Sequence, residues 1–558
     1  MKEYTKKLIQ DSLKNLGLPE ALFVVEHTSN LQFGDYSTNV AMVLAKESNK
    51  NPKDLAETIC NQLVKIGSSK FEKVEVAGPG FINFTISADT LMQVVKGILD
   101  QKERFGTNEN LFKKKIIVEY TDPNPFKEFH LGHLMSNTIG EALARLIEAS
   151  GAEVKRACYQ GDVGMHVAKA VAFKYINNSK WETVQNVAVS YAMGALKYES
   201  DNTFKEKVVE INKKIYQKTD PEINEIYLLG KKLTLDYFET IYKRLGTKFD
   251  YYFFESKTAE FGKALVHEHP EIFTESEGAI VFEGEKRDPK LHTRVFINKE
   301  GLPTYEAKEL GLAKIKYDSY EYDQSIVITG NEINDYFRVL LSAMSEVFPD
   351  LAQKTKHISH GMLRLPTGKM SSRTGDVITA ESVLAVAEEK AKEVAKDKRA
   401  DDQKILSEQV ALAAIKSSIL RQAPGRDVIF DFDTSITFEG DSGPYLQYTR
   451  ARINSIAEKA NSLKISPSPS IGEKVFDVER VLSRYPDVVE RAGEEMAPHY
   501  IVTYLTELAG SFNSFYAAEQ IVKIEDESSA RKLAIALGVG QVLKNGLTLL
   551  GIPVPEKM

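Results

Sequence analysis

A short apolar run enters a proline-containing loop, the loop opens into a helix stopped by glycine, and a second apolar run follows. In KKKIIVEY, Ile116–Tyr120 has the length and apolarity of a buried parallel strand. Residues 121–129 form a loop carrying Pro123 and Pro125, and Ile139, Leu143, Leu146 and Ile147 then share one face of a helix over 134–150 that stops at Gly151. Glu153–Tyr159 reads as the next strand, so about 45 residues make a strand–helix–strand unit. A second unit lies downstream: SIVITG, a helix near 335–347, then HISHGML. The stretch between, 163–296, reads as a mostly helical insertion with some strand. An interrupted series of this kind predicts a doubly wound α/β domain, whose ligands bind beyond the carboxyl ends of its parallel strands.

The flanks have a different character. Residues 1–105 combine helical spacing (Val40, Val43, Leu44) with two strand-like runs around the Gly78-Pro79-Gly80 turn, and predict a small α+β domain. Residues 381–558 are rich in helical periodicity and predict an all-α bundle, which leaves 106–380 to the nucleotide-binding sheet. In 558 residues, 72 basic side chains face 79 acidic ones, for a net charge of −7. No global positive field draws nucleic acid, so any RNA contact must use a local patch. Two cysteines are too few for a disulfide framework or a cysteine zinc site, and fit a reducing cytoplasm. The charged N-terminus lacks a signal-peptide core, and no apolar run approaches the roughly 20 residues of a membrane span. The expectation is a cytoplasmic enzyme or assembly factor without a membrane partner.

Two motifs carry chemistry. His130-Leu131-Gly132-His133 falls where a strand leads into a helix, a place where backbone N–H groups and the helix dipole attract phosphate. Gly132 permits close approach of a nucleotide, and two imidazoles three residues apart can donate to one phosphate. The second motif is PTGKMSSRTGD at 366–376, a loop whose Lys369 can neutralise charge developing on a triphosphate. Between Asp350 and Gly375, five basic residues stand against one acidic residue. Either motif alone also suits an ordinary solvated loop or helix cap; their combination is what selects a nucleotide site.

The pair H-L-G-H and K-M-S-S resembles the signatures of class I aminoacyl-tRNA synthetases. VEYTDPNPFKEFHLGHL, YQGDVG at 159–164, PTYEAKELGLA at 303–313, FGDYSTNVAM, GPYLQYTRARINSI and the final GIPVPEKM resemble the arginyl branch across nearly the whole chain. The resemblance implies ATP-dependent ligation of L-arginine to its tRNA through an arginyl adenylate, with Mg²⁺ accompanying ATP and no protein-only metal site. It implies that His130, His133, Lys127 and Lys369 act on the phosphates, and that Gly132, Met370 and Ser371 help bind ATP. Glu119, Asn124, Tyr305, Glu309 and, by a weaker correspondence, Glu332 fall where the family binds arginine. The family more often has Asp where this chain has Glu309. Its loop usually has a second lysine where this chain has Ser372, and Lys127 or Arg373 is the candidate replacement. Phe33, Asp35 and Tyr36 fall in the part that meets the tRNA elbow, and Tyr445, Tyr448, Arg450 and Arg452 in the anticodon-binding part. A monomer is expected. The competing readings are another class I synthetase or small-molecule ligase, and a non-catalytic tRNA-binding paralogue.

Overall fold

The computed structural model describes residues 1–366, 379–398, 400 and 402–558. The chain forms two compact units, one of residues 1–108, 394–413 and 437–558, the other of residues 109–393 and 414–436.

In the first unit an antiparallel sheet has the order Val25–His27, Tyr36–Thr38, Phe81–Ile86, Phe71–Ala77. Helices Lys2–Asn15, Val40–Ser48 and Pro52–Ile66 bury Ile9, Leu44, Leu55 and Ile59 against its Tyr36, Ile82 and Phe84. The same unit holds the helices Gly443–Ser462, Asp477–Ser483, Tyr485–Glu494, His499–Ala518 and Ser529–Leu549. Asp35 and Tyr36 join sheet to helices. Asp35 Oδ2 accepts from the Ile86 N–H at 2.7 Å and from Arg480 at 2.6 Å, and the Tyr36 hydroxyl donates to Asp487 at 2.6 Å. Both side chains are buried and occupied there, while Phe33 is 56 % exposed. Of the three, only Phe33 is open to a partner.

The second unit is built on five parallel strands: β1 (Lys115–Glu119), β2 (Glu153–Gln160), β3 (Tyr251–Phe254), β4 (Gln324–Gly330) and β5 (Thr355–His360). Their order is β5-β4-β1-β2-β3. Winding runs outward from β1 in one direction and from β4 in the other, so the switch point lies between β1 and β4, where such sheets bind ligands. Helix α1 (Leu131–Ala149) follows β1. Helices α2 (Met165–Asn177), α3 (Val184–Ser200), α4 (Asn202–Gln217) and α5 (Pro221–Leu245) form the insertion around Trp181, Phe204 and Ile211. The insertion is shorter than the sequence suggests. Tyr251–Phe254 lies inside the span read as inserted, yet pairs with β2 as an edge strand of the main sheet. Four residues sandwiched between long helices carry too little periodicity to announce a strand.

Helices α6 (Glu255–Glu268), α7 (Tyr305–Ser319) and α8 (Asn334–Val347) also belong to the unit, with a small antiparallel sheet of Thr274–Ser276, Ala279–Glu283 and Thr293–Ile297 between the first two. Helices α6 and α7 approach closely because both carry glycine at the crossing. A Cβ at Gly262 would sit 1.8 Å from the Ala307 carbonyl oxygen, and one at Gly311 would sit 2.6 Å from that of Thr258. Among the described residues, no helix is long and apolar enough to cross a membrane. Because backbone fills the space beside Gly262, Gly262→Ala should destabilise the unit by about 1–3 kcal/mol through overpacking. Denaturant unfolding followed by circular dichroism measures this; an unchanged midpoint would show that the helices part freely.

Candidate active site

The C-terminal ends of β1 and β4 meet two groups of side chains. One starts from the loop after β1, whose backbone is held in unusual conformations. Thr121 has φ of 82°, Asp122 of 44° and Phe126 of 70°. A β-branched residue at such an angle stores strain of order 1–3 kcal/mol. Side-chain hydrogen bonds hold it: Ser136 Oγ accepts from the Thr121 N–H at 2.9 Å, Asn137 donates to Thr121 Oγ1 at 3.0 Å, and Asp122 Oδ1 accepts from the Tyr159 N–H at 2.7 Å. The loop thereby turns Asp122 and Asn124 back over the strand ends. Asn124 Oδ1 occupies the place where a side chain at Gly161 would start, 2.2 Å from a Cβ there.

Acidic groups converge below this loop. Glu119, at the end of β1 and 1 % exposed, accepts from Lys316 Nζ at 2.8 Å. Glu255, at the start of α6, accepts from Lys308 Nζ at 2.7 Å. Among the described residues two further carboxylates make no ion pair, although the charge of Lys316 acts on both: Asp122 accepts from the Tyr159 N–H, and Glu309 makes no hydrogen bond. Burial, followed by the charge of Glu119, pushes both carboxyls well above the ordinary carboxylate range. Four carboxylates thus face two ammonium groups, and the pocket is short of positive charge. Tyr305, one turn before Glu309 on α7, is 58 % exposed, with Lys308 Nζ 5.2 Å from its ring centre.

The other group surrounds the start of α1. His130 is the N-cap, its Nδ1 accepting from the Gly132 N–H at 3.1 Å, and His133 Nδ1 accepts from the His130 N–H at 3.2 Å. The two rings stack with centroids 3.4 Å apart. Each Nδ1 is an acceptor, so in the neutral ring the proton resides on Nε2, and each imidazole presents an Nε2–H donor. Burial lowers the pKa of both; for His133, which is only 6 % exposed, the shift is large and is reinforced by His130, Lys127 and His360. Gly132 has a role beyond admitting a ligand: a Cβ there would lie 2.9 Å from the His130 ring, so glycine makes room for the cap itself.

Lys127 and Glu332 join this end. The charge of Lys127 depresses His130, His133 and also buried His166, whose pKa falls to about 3, chiefly through burial. Lys127 Nζ lies 5.0 Å from the Tyr191 ring centre. Glu332 is exposed, and its carboxylate acts on His130 and His360. Glu332 thus lies within electrostatic reach of His130 and His360. Lys369, Met370 and Ser371 lie outside the described residues, as do Ser372 and Arg373. Thr379, where the described chain resumes, bridges to His130, and the Ala380 N–H donates to the Phe129 carbonyl at 2.9 Å.

Sequence reading missed Asp122, Glu255, Lys308 and Lys316. The signal was present in part: Lys308 and Glu309 are neighbours, and Lys316 lies two turns beyond Glu309 on the same helix. Their partners Glu119 and Glu255 come from distant segments, which sequence spacing does not reveal.

Comparison with known proteins agrees with the nucleotide-type sheet and the domains around it. Residues 94–432 match the family model described as tRNA synthetases class I (R), catalytic domain. Residues 3–86 match the arginyl tRNA synthetase N terminal domain, and 446–558 the DALR anticodon binding domain. The arginine–tRNA ligase of Fusobacterium nucleatum is 30 % identical over 574 residues, covering 99 % of this chain and 98 % of that protein. That of Treponema denticola is 28 % identical over 587 residues, with 99 % of each covered. The Thermus thermophilus arginyl-tRNA synthetase structure shares the fold, with TM-score 0.82, 23 % identity and full coverage of both chains. The architecture is that of a class I synthetase, and within that class the chain belongs to the arginyl-tRNA synthetase family.

Proposed function

We propose that this chain ligates L-arginine to its tRNA at the expense of ATP, with the acidic pocket taking the guanidinium and the histidine pair taking the phosphates. The observation that carries this reading is the uncompensated pair Asp122 and Glu309 beside the Glu119–Lys316 ion pair: a buried pocket short of positive charge suits a cation, and a planar carboxylate binds a guanidinium in two-point fashion.

Adenylate formation requires no protein nucleophile. The arginine carboxylate attacks the α-phosphorus, forming a carboxylate–phosphate bond as the bond to pyrophosphate breaks. The protein's contribution is orientation and stabilisation of charge. Neutral His130 and His133 donate from Nε2 to phosphate oxygens, with Gly132 admitting the nucleotide. Lys369 follows the leaving pyrophosphate, and Met370 and Ser371 help bind ATP. ATP enters as a substrate with its own Mg²⁺. In the second step a hydroxyl of the terminal ribose of the tRNA attacks the arginyl carbonyl and releases AMP. Glu119, Asn124, Tyr305 and Glu309 orient arginine. Glu332, given its neighbours, serves the nucleotide end. The segment 1–105 contacts tRNA, 106–380 carries the chemistry and 381–558 reads the anticodon, in a cytoplasmic monomer. Support for the last assignment comes from Tyr448, which has Lys398 4.0 Å and Arg452 5.1 Å from its ring centre, and from Tyr516, 44 % exposed beside the same Arg452. Aromatic faces backed by cations suit unstacked bases.

Two measurements examine the two ends. Glu309→Gln should raise the arginine KM about 10–150-fold, the worth of a charge-assisted hydrogen bond of about 1.5–3 kcal/mol, and leave the ATP KM nearly unchanged. Equal weakening of both substrates would reduce Glu309 to a structural carboxylate. Lys127→Ala should slow adenylate formation about 10²–10³-fold with tRNA affinity unaltered, the range for losing one transition-state contact. Lysine at position 372 should restore part of that rate. A fully active Lys127→Ala enzyme beside a crippled Arg373→Ala enzyme would move the role to Arg373.

A further inference from the structure

Tyr336, on the first turn of α8, has a hydroxyl shut off from solvent that makes no hydrogen bond among the described residues. A buried hydroxyl left unpaired costs about 1–3 kcal/mol, and such groups are rare unless something absent from the resting protein satisfies them. The surroundings point to the chemistry that would satisfy it. The carboxylates of Glu309, Glu306 and Glu255 act on this phenol, and with burial as the largest cause they hold its ionisation well above the ordinary range. Tyr159, under the influence of the same Glu255 and Glu309, already has a partner: its hydroxyl is 2.9 Å from Thr258 Oγ1. The Tyr336 ring is fixed by Phe337, with centroids 5.6 Å apart, and by the Arg294 guanidinium 5.9 Å above it. Arg294 is in turn drawn toward Glu306, at 3.5 Å. Arg294 thus links the Tyr336 ring to Glu306, one turn before Glu309 on α7, and Glu309, whose charge acts on the phenol, has no partner among the described residues.

A guanidinium carries five N–H donors, and one carboxylate in two-point contact uses two of them. The others need acceptors. A phenol can donate to a carboxylate and at the same time accept from an N–H. We propose that the Tyr336 hydroxyl is a specificity contact for the amino-acid substrate, donating to Glu309 and accepting a terminal guanidinium N–H that the carboxylates leave over. The proposal rests on the reading that the acidic pocket receives arginine. An alkyl ammonium group has one nitrogen and no planar fork, so it cannot pair two-point with the Glu309 carboxylate and also offer the phenol an N–H from a second nitrogen, and the contact favours arginine over lysine or ornithine.

The test is Tyr336→Phe, which removes one oxygen and keeps the ring. It is assayed on the full-length enzyme with tRNA present, using arginine and Nω-methyl-L-arginine, in which a methyl replaces one terminal N–H. The arginine KM should rise about 10-fold to 100-fold, as expected for one hydrogen bond to a charged group, while the ATP KM stays within about twofold. The preference for arginine over the methylated analogue should shrink at least threefold. The thermal midpoint of the enzyme without arginine should be unchanged or higher, because an unpaired buried group has been removed. A merely structural tyrosine would give the opposite pattern, a lower midpoint and equal losses for both substrates, and that result would overturn the proposal. An unchanged arginine KM would also overturn it. Glu309→Gln run alongside separates the two levels of the reading. If Glu309→Gln raises the arginine KM and Tyr336→Phe does not, only the tyrosine contact fails. If neither does, the pocket is not the arginine site.

Discussion

The buried ion pair between Glu119 and Lys316, 2.8 Å apart, ties the last residue of β1 to the last turns of α7. Removing one partner of such a pair costs about 3–5 kcal/mol, because the other charge is left stranded. The Glu255–Lys308 pair does the same between the start of α6 and the first turn of α7. These two bonds, with the glycine contact of α6 on α7, leave α7 one position relative to the sheet. Glu309 lies between the two lysines on that helix, and its setting follows: each lysine is already committed to another carboxylate, and Glu309 is not. Structural ion pairs thus fix an electrostatic deficit around Glu309, the setting that the proposed guanidinium site needs.

The histidine end obeys a different constraint. The loop after β1 must reverse direction within a few residues, and Thr121, Asp122 and Phe126 take left-handed conformations to do so. The same loop contributes to both ends of the site. Asp122 and Asn124 project toward the acids, Lys127 toward the imidazoles, and His130 caps α1. Geometry at the two ends is therefore coupled through nine residues of backbone held by hydrogen bonds to Ser136, Asn137 and Tyr159. That arrangement suits a reaction in which an amino-acid carboxylate must meet an α-phosphate, since orientation carries most of the catalytic burden.

Much of this was legible in the sequence. The apolar run Ile116–Tyr120, the glycine stop at Gly151 and the SIVITG strand gave the sheet, because parallel strands buried on both faces leave continuous apolar runs. The helix after β1 was legible over 134–150, although α1 starts three residues earlier, at Leu131 inside the HLGH motif. Short elements were not legible: Tyr251–Phe254 has four residues and was hidden between helices. Nor were pairings across distance, since nothing in the spacing of Glu119 and Lys316 foretells that they meet. Asp35 and Tyr36 show the converse limit. Their motif was read correctly as belonging to the N-terminal domain, but burial commits their side chains to Arg480 and Asp487, and sequence does not report burial of a polar group.

The central claim is that the pocket's missing positive charge is the substrate's guanidinium. Without arginine, burial and then Glu119 raise the carboxyls of Glu309 and Asp122 well above their usual range, so each holds its proton to higher pH than a free carboxylate does. A guanidinium favours the ionised form, lowers those pKa values and expels the proton; affinity for arginine should accordingly increase as pH rises through the raised range. Isothermal titration of L-arginine into the enzyme between pH 6 and 7.5, in buffers of differing ionisation enthalpy, measures this directly. Observed binding enthalpies that vary linearly with buffer ionisation enthalpy, with the sign of net proton release, are the predicted result. Binding heats independent of the buffer, or a slope of proton uptake, would contradict the account.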